Sequence, residues 1–472
     1  MVNGMPTGLP DAKVVIQDGG LGASHDAAGG VHLKIGVCSL GTPNQIYRVS
    51  DPSKIASTFG TGELVRALLD SMQLGARDII VIPAAASVAG TVGAVTKTGT
   101  GGRVLNVTGT PNNRYDVIVK IVKSGAANAA QYQLSLDGST FGPVRTIPSN
   151  GTIALPDTGL TLNFTSPTPP TTDNFVEGDE YRFETTAPQM SNADFLAAMN
   201  VVKNNSLNYE YIHVVGESDS SLWAMCASDA VALEENHKPI HFICEAQRPD
   251  EGETVDQWVQ ALITARQSFV SDRVSVVAPI VQVAALDGSV RWTNLAGVYA
   301  GILARARVSE SPGKVMSFPL TNVTALMEGM DNSHIKALDD AGYITARTFE
   351  GLSGFYITNG RMMANAGSDF EFVEVRRTVD KAARLVRQAS VRFVQSEADE
   401  DGLDNLIANL AAPLSGQMMS AGAPEISDFT LSIPEGQDIF STRSLDIDLA
   451  VVPIPIMKWI TVRLKLQNPN LS

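Results

Sequence analysis

Two parts of the chain alternate continuous apolar runs with apolar residues at helical spacing. The first part begins with a run at 31–41 that ends in a turn, continues through helical patterns at 53–59 and 63–74, and ends with an apolar run at 78–84. Continuous apolar runs of this length are typical of strands that are buried on both faces. Strand, helix and strand in this order predict an α/β unit with a parallel pair of strands.

The same alternation returns after residue 188. Ser191 is a suitable N-cap for a helix that runs to about residue 203. Beyond it the pattern predicts strands at 211–216, 239–246, 273–279 and 343–349, and helices at 219–236, 253–270, 293–307 and 333–342. Such alternation indicates a sheet that is covered by helices on both faces.

Between these two parts, apolar and polar residues alternate singly. Period-two runs predict strands at 115–122, 132–139, 160–164 and 181–185. Asp137-Gly138-Ser139-Thr140 is a candidate hairpin turn. Because Thr, Gly, Asn and Pro are frequent throughout 95–188, we expect this segment to be an all-β domain inserted between α/β segments.

The last part of the chain no longer alternates strands with helices regularly. It predicts strands at 355–363, 369–375, 444–454 and 458–466, a long helix at 376–394 and a second helix at 403–410.

The expected fold class of the whole chain is therefore α/β (α+β) and multidomain. The expected domains are an N-terminal arm and linker (1–30), a discontinuous α/β domain (31–94 and 189–350), the inserted β-sandwich or barrel-like domain (95–188), a C-terminal domain (351–455) and a C-terminal strand arm (456–472).

The charge of the chain narrows the classes of partner. The 472 residues carry a formal net charge of −15, which is the wrong sign for a protein whose whole surface binds phosphate backbones.

Three cysteines argue against a disulfide framework and fit a reducing compartment. No signal peptide is visible, and no run approaches the ~18 apolar residues of a membrane span. We expect synthesis in the cytosol and no direct membrane insertion.

Motifs that would indicate an enzyme are incomplete. No phosphate-binding loop or nucleophile elbow has all its residues. His237, His241 and Cys244 lie close in sequence, but a strand through this segment places His241 and Cys244 on opposite faces. We therefore expect no metal, no cofactor and no catalytic residues. A triad assembled from distant positions stays open, because it leaves no local motif.

The strongest physical signal is a basic stripe on the predicted helix at 376–394. At 100° per residue, six cations fall within one arc: Arg376, Arg377, Lys381, Arg384, Arg387 and Arg392. Five acids follow directly: Glu397, Asp399, Glu400, Asp401 and Asp404. A solvated helix face is the simpler interpretation. A stripe of one sign otherwise indicates nucleic acid, an anionic membrane or an acidic protein surface, and the lack of interleaved aromatics weakens the nucleic-acid interpretation. The following acids suit the stripe of a neighbouring copy.

Both ends of the chain carry a strand-like segment on a Gly-rich or Pro-rich connector. These segments include Lys13, Val14, Val15 and Ile16 near the start, and Trp459, Ile460, Thr461, Val462, Arg463 and Leu464 near the end. A lone strand is not stable in water, so each segment must pair within the subunit or add to a sheet of another subunit. Pairing between subunits would make both ends the connectors of a polymer.

The order of these elements resembles the contractile tail sheath family, which includes phage tail sheaths and R-type bacteriocin sheaths. The opening at 36–44 and 51–84 is similar to the family's strand, Gly-x-Pro turn, helix and second strand. Later counterparts lie at 296–314, 349–363 and 372–394, and the β insertion is similar to that of a divergent branch. The chain departs from the family pattern at Arg361-Met362, where the family has Arg-Thr, and in its basic 305–307 segment.

The resemblance implies a structural subunit and not an enzyme. It implies a sheath-like α/β core, an outward-pointing β insertion, an inner C-terminal domain and terminal arms that exchange strands between subunits. The six cations of the stripe would face the tube or the next subunit's acids. The implied partners are other sheath subunits in helically stacked hexameric rings, the tail tube protein, the baseplate and the tail terminator, without nucleic acid. The implied location is a virion tail assembled in the bacterial host cytoplasm.

Two other classes of function stay open at this point. The first is an α/β hydrolase or transferase with an unrecognised active site, which a conserved pocket or a bound cofactor would indicate. The second is a non-contractile structural protein of the virion, such as a decorating protein or a tail tube subunit. The second α/β region, at 189–350, is large for a tube subunit, so we rank that interpretation last.

Overall fold

The computed structural model describes residues 30–166, 174–250, 252–286 and 288–466. The predicted N-terminal arm at 13–16 lies outside the described residues. Helices and several separate sheets alternate along the described chain, so the predicted mixed, multidomain class is confirmed. Every helix in this part of the chain is too short or too polar to cross a membrane.

The first five elements build one side of the main sheet. They are β1 (His32–Gly36), β2 (Tyr47–Val49), α1 (Ile55–Phe59), α2 (Glu63–Gln73) and β3 (Ile79–Pro83). Strands β1 and β3 pair in parallel with His32 opposite Ile79, as predicted. Strand β2 is antiparallel to β3. A 3-10 turn, Pro52–Lys54, precedes α1 because the Asp51 side chain accepts the backbone N–H of Ser53.

The insertion contains two antiparallel sheets. Its strands are β4 (Thr96–Thr98), β5 (Val104–Gly109), β6 (Asp116–Lys123), β7 (Gln131–Ser135), β8 (Arg145–Thr146), β9 (Thr152–Leu155), β10 (Leu160–Thr165) and β11 (Glu180–Glu184). The sheets have the orders β5-β10-β9 and β4-β11-β6-β7-β8, and they share a core that includes Leu162, Phe164 and Tyr181. Strands β4, β5, β8 and β9 escaped prediction because they are short or too polar to show a period.

The proposed hairpin turn at 137–140 is wrong in its connection. Strand β7 pairs with β8 across the long connection 136–144, in which Asp137 Oδ1 accepts the backbone N–H groups of Ser139 at 3.0 Å and Thr140 at 2.7 Å. The Asp137 carboxylate closes a local turn within this longer loop, because a side-chain oxygen that accepts backbone N–H groups can replace the hydrogen bond of a backbone turn. The two strands are therefore joined by the whole loop and not by a tight turn at 137–140.

The second half of the main sheet follows the insertion. Its elements are α3 (Asn192–Lys203), β12 (Tyr211–Ser218), α4 (Ser220–Glu235), β13 (His241–Ala246), α5 (Val255–Gln267) and β14 (Val274–Val277). The strand order is β14-β13-β12-β1-β3-β2, and all pairs except β2 with β3 are parallel. Ser191 caps α3 as predicted, since its hydroxyl and the Asp194 carboxylate each accept the other's backbone N–H.

Helices cover both faces of this sheet, which confirms the prediction. On one face Phe195, Trp223 and Trp258 of α3, α4 and α5 are buried in a single apolar cluster. On the other face Leu68 of α2 and Tyr299, which lies in a later helix (Ala296–Arg305), are fully buried. The continuous apolar runs of the sequence are therefore explained by burial on two sides.

A connecting region leads from the main sheet to the C-terminal part. It comprises β15 (Ile280–Ala284), β16 (Val290–Asn294), α6 (Ala296–Arg305), β17 (Val323–Leu326), α7 (Asn332–Asp340), β18 (Ala346–Phe349) and β19 (Leu352–Ile357). Both predicted helices are present, and each is shorter than predicted. Strands β15, β16 and β17 form an antiparallel sheet that the sequence patterns did not predict.

The C-terminal part contains α8 (Val373–Ser390), α9 (Glu400–Pro413), β20 (Ile426–Ser432), α10 (Ile439–Thr442) and β21 (Asp448–Pro453). A 3-10 turn, Val391–Phe393, continues α8, and a π-helical turn, Leu414–Met418, continues α9. The strand predicted at 369–375 is wrong, because Phe372 is the N-cap of α8. The rings of Phe370 and Phe372 lie against the guanidinium groups of Arg376 and Arg361 instead of facing a sheet.

Helices α2 and α6 pack closely because α6 presents two glycines to α2. The Ser71 hydroxyl donates a hydrogen bond to the Gly297 carbonyl at 2.5 Å. A Cβ atom at position 301 would lie 2.5 Å from the Ser71 carbonyl oxygen and 2.8 Å from the Leu74 Cβ. These distances are far below van der Waals contact, so position 301 has no room for a side chain.

Replacing Gly301 by Ala should therefore force α2 and α6 apart and lower the free energy of unfolding by about 1–3 kcal/mol, the usual effect of overpacking. Gly416→Ala is the matched control, because a Cβ there meets nothing within 4 Å. Urea unfolding of the unassembled subunit measures both variants. Equal stability of the two variants would contradict this account of the helix contact.

Candidate assembly surfaces

Helix α8 carries the predicted basic stripe, but its first two arginines point into the subunit. Arg377 is 1 % exposed and pairs with the equally buried Glu210, which lies just before β12. Its guanidinium also donates to the carbonyl oxygens of Leu303 at 2.9 Å and Ala306 at 3.1 Å, at the end of α6. Burial alone would raise the pKa of Glu210, but Arg377 holds this pKa below its usual value.

Arg376 is buried in a second ion-pair cluster. It contacts Asp380 at 2.8 Å and Asp272 at 3.1 Å, and Asp380 also accepts from Arg273 at 3.1 Å. Arg273 pairs in turn with Glu234 of α4. The expectation that Arg376 and Arg377 face a tube or a neighbouring subunit is therefore corrected, since acids of their own chain surround them.

The other four cations of the stripe lie progressively nearer the surface. Lys381 pairs with Glu425, which precedes β20. Arg384 is half-buried and donates to the Pro239 carbonyl. Arg387 and Arg392 are exposed, and within the described residues neither forms an ion pair. Only this end of the stripe is available to a partner.

The five predicted acidic partners lie together at the start of α9. Glu397, Asp399, Glu400, Asp401 and Asp404 are all exposed, and no cation of the described chain pairs with them. Asp399 caps the helix by accepting the backbone N–H of Gly402 at 2.8 Å. The Asp399 carboxylate therefore fixes the start of the helix, while the other four carboxylates are exposed.

The C-terminal segment 458–466 runs over the surface without forming a strand in the described structure. Lys458 anchors it, because the ammonium group contacts Glu374 at 2.5 Å and the ring of Phe372 at 4.1 Å. Beyond this anchor the apolar side chains are strongly exposed: Trp459 79 %, Ile460 76 %, Val462 83 %, Leu464 89 % and Leu466 98 %. From Ile460 onward, Thr461, Arg463 and Lys465 alternate with the apolar residues, which is the pattern of a strand with one apolar face and one polar face.

Strands β20 and β21 form a separate two-stranded sheet that lies on α8. Its inner face packs on Leu385 of α8 and on Leu414 and Met418, which follow α9. In the part of the chain that the structure describes, neither strand has a second neighbour. Two strands are marginal as a sheet, and each keeps one edge of unpaired backbone groups. An added strand would pair with these backbone groups.

The crevice at the carboxyl ends of β1 and β12 is where an open α/β sheet usually holds a ligand, because the strand order reverses there. In this chain the crevice measures about 40 Å³ and is lined by residues that include Glu63, Glu217 and Arg248. Arg114 of the insertion closes it by pairing with Glu217 at 2.7 Å. Sites for small molecules have volumes of roughly 300–1,000 Å³, so this crevice does not hold a substrate.

A buried polar chain crosses the middle strands beside this crevice. Lys34 Nζ lies 2.6 Å from His213 Nδ1, and His213 Nε2 lies 3.0 Å from Glu245 Oε1. Burial lowers the pKa of Lys34 to about 7 and raises the pKa of Glu245 to about 8. Sequence patterns did not reveal this network, although Lys34 within an otherwise apolar strand was a usable signal.

The metal interpretation of the His237, His241 and Cys244 segment has no support in the described residues. His241 stacks on Tyr211 on one face of the sheet, and Cys244 lies beside Cys226 on the other, as the strand period predicts. The described residues contain no group of three or more His, Cys, Asp or Glu arranged around a metal position.

Arg377→Ala should lower the free energy of unfolding by about 3–5 kcal/mol, because it leaves the Glu210 carboxylate buried without its partner. Arg387→Ala removes an exposed arginine from the same helix and should change stability by less than about 0.5 kcal/mol. Chemical denaturation of the unassembled subunit compares them. Similar losses in the two variants would argue against an internal role for Arg377.

Glu245→Gln should remove a pH dependence from the stability of the subunit. Folding raises the Glu245 pKa to about 8, so between its usual value and pH 8 the folded state holds a proton that the unfolded state lacks. Wild-type stability should therefore fall as the pH rises through this window. Between pH 5 and pH 7 the variant should gain about 1–2 kcal/mol relative to wild type, measured by unfolding at each pH. Exposed Glu235→Gln is the control, and a parallel pH profile for wild type and Glu245→Gln would contradict the prediction.

Comparison with known proteins identifies the family of this chain. Residues 9–361 match the model of the DUF2586 N-terminal domain, and residues 369–471 match the model of the DUF2586 C-terminal domain. A curated relative, the putative tail sheath protein of Haemophilus phage HP1, is 32 % identical over 150 residues. That match covers 30 % of this chain and 37 % of the relative, so the chain matches well under half of that protein's length.

Solved structures show the same fold at low sequence identity. The sheath tail protein of Listeria innocua has a TM-score of 0.51 at 12 % identity, with 90 % of this chain and 92 % of that chain covered. The helical sheath of the anti-feeding prophage in its contracted state has a TM-score of 0.54 at 12 % identity, with 98 % and 100 % covered. The resemblance predicted from the order of elements is confirmed, and the chain belongs to the DUF2586 family with the fold of contractile sheath proteins.

Proposed function

We propose that this protein is the structural subunit of a contractile tail sheath, which polymerises around a tail tube and contracts to drive the tube through a target envelope. The exposed segment 459–466 is the observation that carries the proposal. A free subunit leaves the apolar face of this segment in water. Burying apolar surface is favourable by about 25 cal/mol per Å², so pairing with another subunit stabilises an assembly. Sheath relatives and sheath folds support the same conclusion.

The β20–β21 sheet of a neighbouring copy is the receptor that fits this segment. Its edges have no further strand within the described residues, and an added strand gains main-chain hydrogen bonds there. The segment and its receptor are different surfaces of one chain. Such a heterologous contact repeats from copy to copy and generates rings or helices instead of closed dimers.

The remaining elements fit the same role. The anchor at Lys458 fixes where the C-terminal arm leaves the subunit, so the arm can stay attached to a neighbour while the subunits shift. The tube, the baseplate and the tail terminator are the further partners in this proposal, and the assembly site is the cytoplasm of a bacterial host. The driving force is the interface gained when a metastable extended lattice compacts, so the proposal assigns no catalytic residue and no cofactor.

Replacing the apolar face of the arm, with Ile460→Ser, Val462→Ser and Leu464→Ser together, should abolish polymer formation while leaving the subunit folded, because these side chains contact little of their own chain. The matched control changes the polar face, with Thr461→Ser, Arg463→Ser and Lys465→Ser. Pelleting and negative-stain electron microscopy, with and without the tube protein, measure assembly. Normal cylinders from the apolar-face variant would rule out strand addition by this arm.

A further inference from the structure

A cleft with a volume of about 500 Å³ lies between the second half of α8, the segment 206–210 before β12 and the turn that follows α4. Three of its lining cations are Lys238, Arg384 and Arg387. A fourth, Lys381, is already neutralised by Glu425. The one acid that lines the cleft, Glu210, is committed to the buried ion pair with Arg377. The cleft therefore has an excess of positive charge.

Within the described residues, none of these three cations forms a direct ion pair with a carboxylate. Lys238 donates to the Asn205 carbonyl and Arg384 to the Pro239 carbonyl, so both cations rest on neutral oxygens. Burial lowers the pKa of each of these groups, because their charges are partly removed from water. For Arg384 the nearby carboxylates of Asp380 and Glu210 offset this effect only in part. Carboxylates brought into the cleft would relieve this cost.

A second feature of the cleft also indicates a missing polar partner. Tyr209 lines the cleft and is 3 % exposed, and its hydroxyl has no hydrogen-bond partner in the described structure. A buried hydroxyl without a partner is unfavourable. This hydroxyl lies beneath the surface, so a ligand in the cleft would reach it only after a shift of the lining side chains, and the cations alone determine the charge of the ligand.

We propose that this cleft binds the acidic segment 397–404 of a second copy of the chain, an inference that rests on the proposed polymerisation. The segment presents five exposed carboxylates without cationic partners in the described residues. None of them lines the cleft of its own copy. Because each subunit carries a net charge of −15, copies repel one another on average. A local match of opposite charges is what brings two such copies into register.

This contact differs from strand addition in a measurable way. Both surfaces are charged and lie near solvent, so the contact should weaken as salt screens it. The apolar arm should be much less sensitive to salt. Subunits therefore have one salt-dependent contact that sets register and one salt-resistant contact that links the polymer.

The test is a charge reversal with rescue in the full-length chain. The cleft variant carries Lys238→Glu and Arg387→Glu, which turns the sum of its three free charges from +3 to −1. The segment variant carries Glu397→Lys, Glu400→Lys and Asp404→Lys, which turns the sum of its five charges from −5 to +1 and leaves the Asp399 cap in place. Each variant should reduce pelletable polymer at least tenfold at low salt. The chain that carries all five changes should recover most of the polymer, because the two surfaces again have opposite charges. Glu177→Lys with Glu184→Lys, which reverses two exposed acids on the insertion, is the control and should polymerise normally.

The outcomes separate this inference from the proposed function. Polymerisation of wild type together with undiminished polymerisation of both variants overturns the charged contact and leaves the sheath role intact. Loss of assembly without rescue in a combined variant that melts like wild type overturns it as well. Normal polymers of the cleft variant that no longer bind the tube would assign the cleft to the tube instead of a second copy. A wild-type chain that never polymerises, even with its tube, overturns the sheath role itself.

Discussion

The ion pair between Arg377 and Glu210 is the contact on which the placement of the C-terminal part depends. It joins helix α8 to the start of a central strand, and the same guanidinium holds the carbonyl oxygens at the end of α6. A buried guanidinium without a carboxylate is strongly unfavourable, so α8 has one orientation against the main sheet. Everything that lies on α8, including the two-stranded sheet and the anchor of the C-terminal arm, is positioned by this constraint.

The cations of α8 differ in how deeply they are buried. The cations near its start are ion-paired inside the subunit, while those near its end have no carboxylate partner in the described residues. Paired charges at the buried end fix the helix, and unpaired charges at the other end remain available to another molecule. One helix therefore serves both the stability of the subunit and the proposed contact between subunits.

The main sheet shows how an architecture that suits enzymes can serve assembly. Its reversal of strand order creates a crevice where open α/β sheets hold ligands. Here the insertion fills that crevice, and its Arg114 pairs with Glu217 at the end of β12. The volume that a substrate needs is replaced by a contact between two parts of the chain. Evidence for function therefore comes from the outer surfaces and from the exposed arm.

The sequence by itself determined the elements whose pattern is local. Continuous apolar runs identified the central strands, Ser191 identified the start of α3, and single alternation identified the longer strands of the insertion. Helical projection also grouped the cations of α8 on one face, because the angle between residues depends only on the helix. Tertiary structure alone decided which of those cations are buried, since Glu210 and Asp272 come from distant parts of the chain. It likewise made 369–375 the start of a helix and left 458–466 without a neighbouring strand in the described structure, because strand formation depends on which neighbours are within reach.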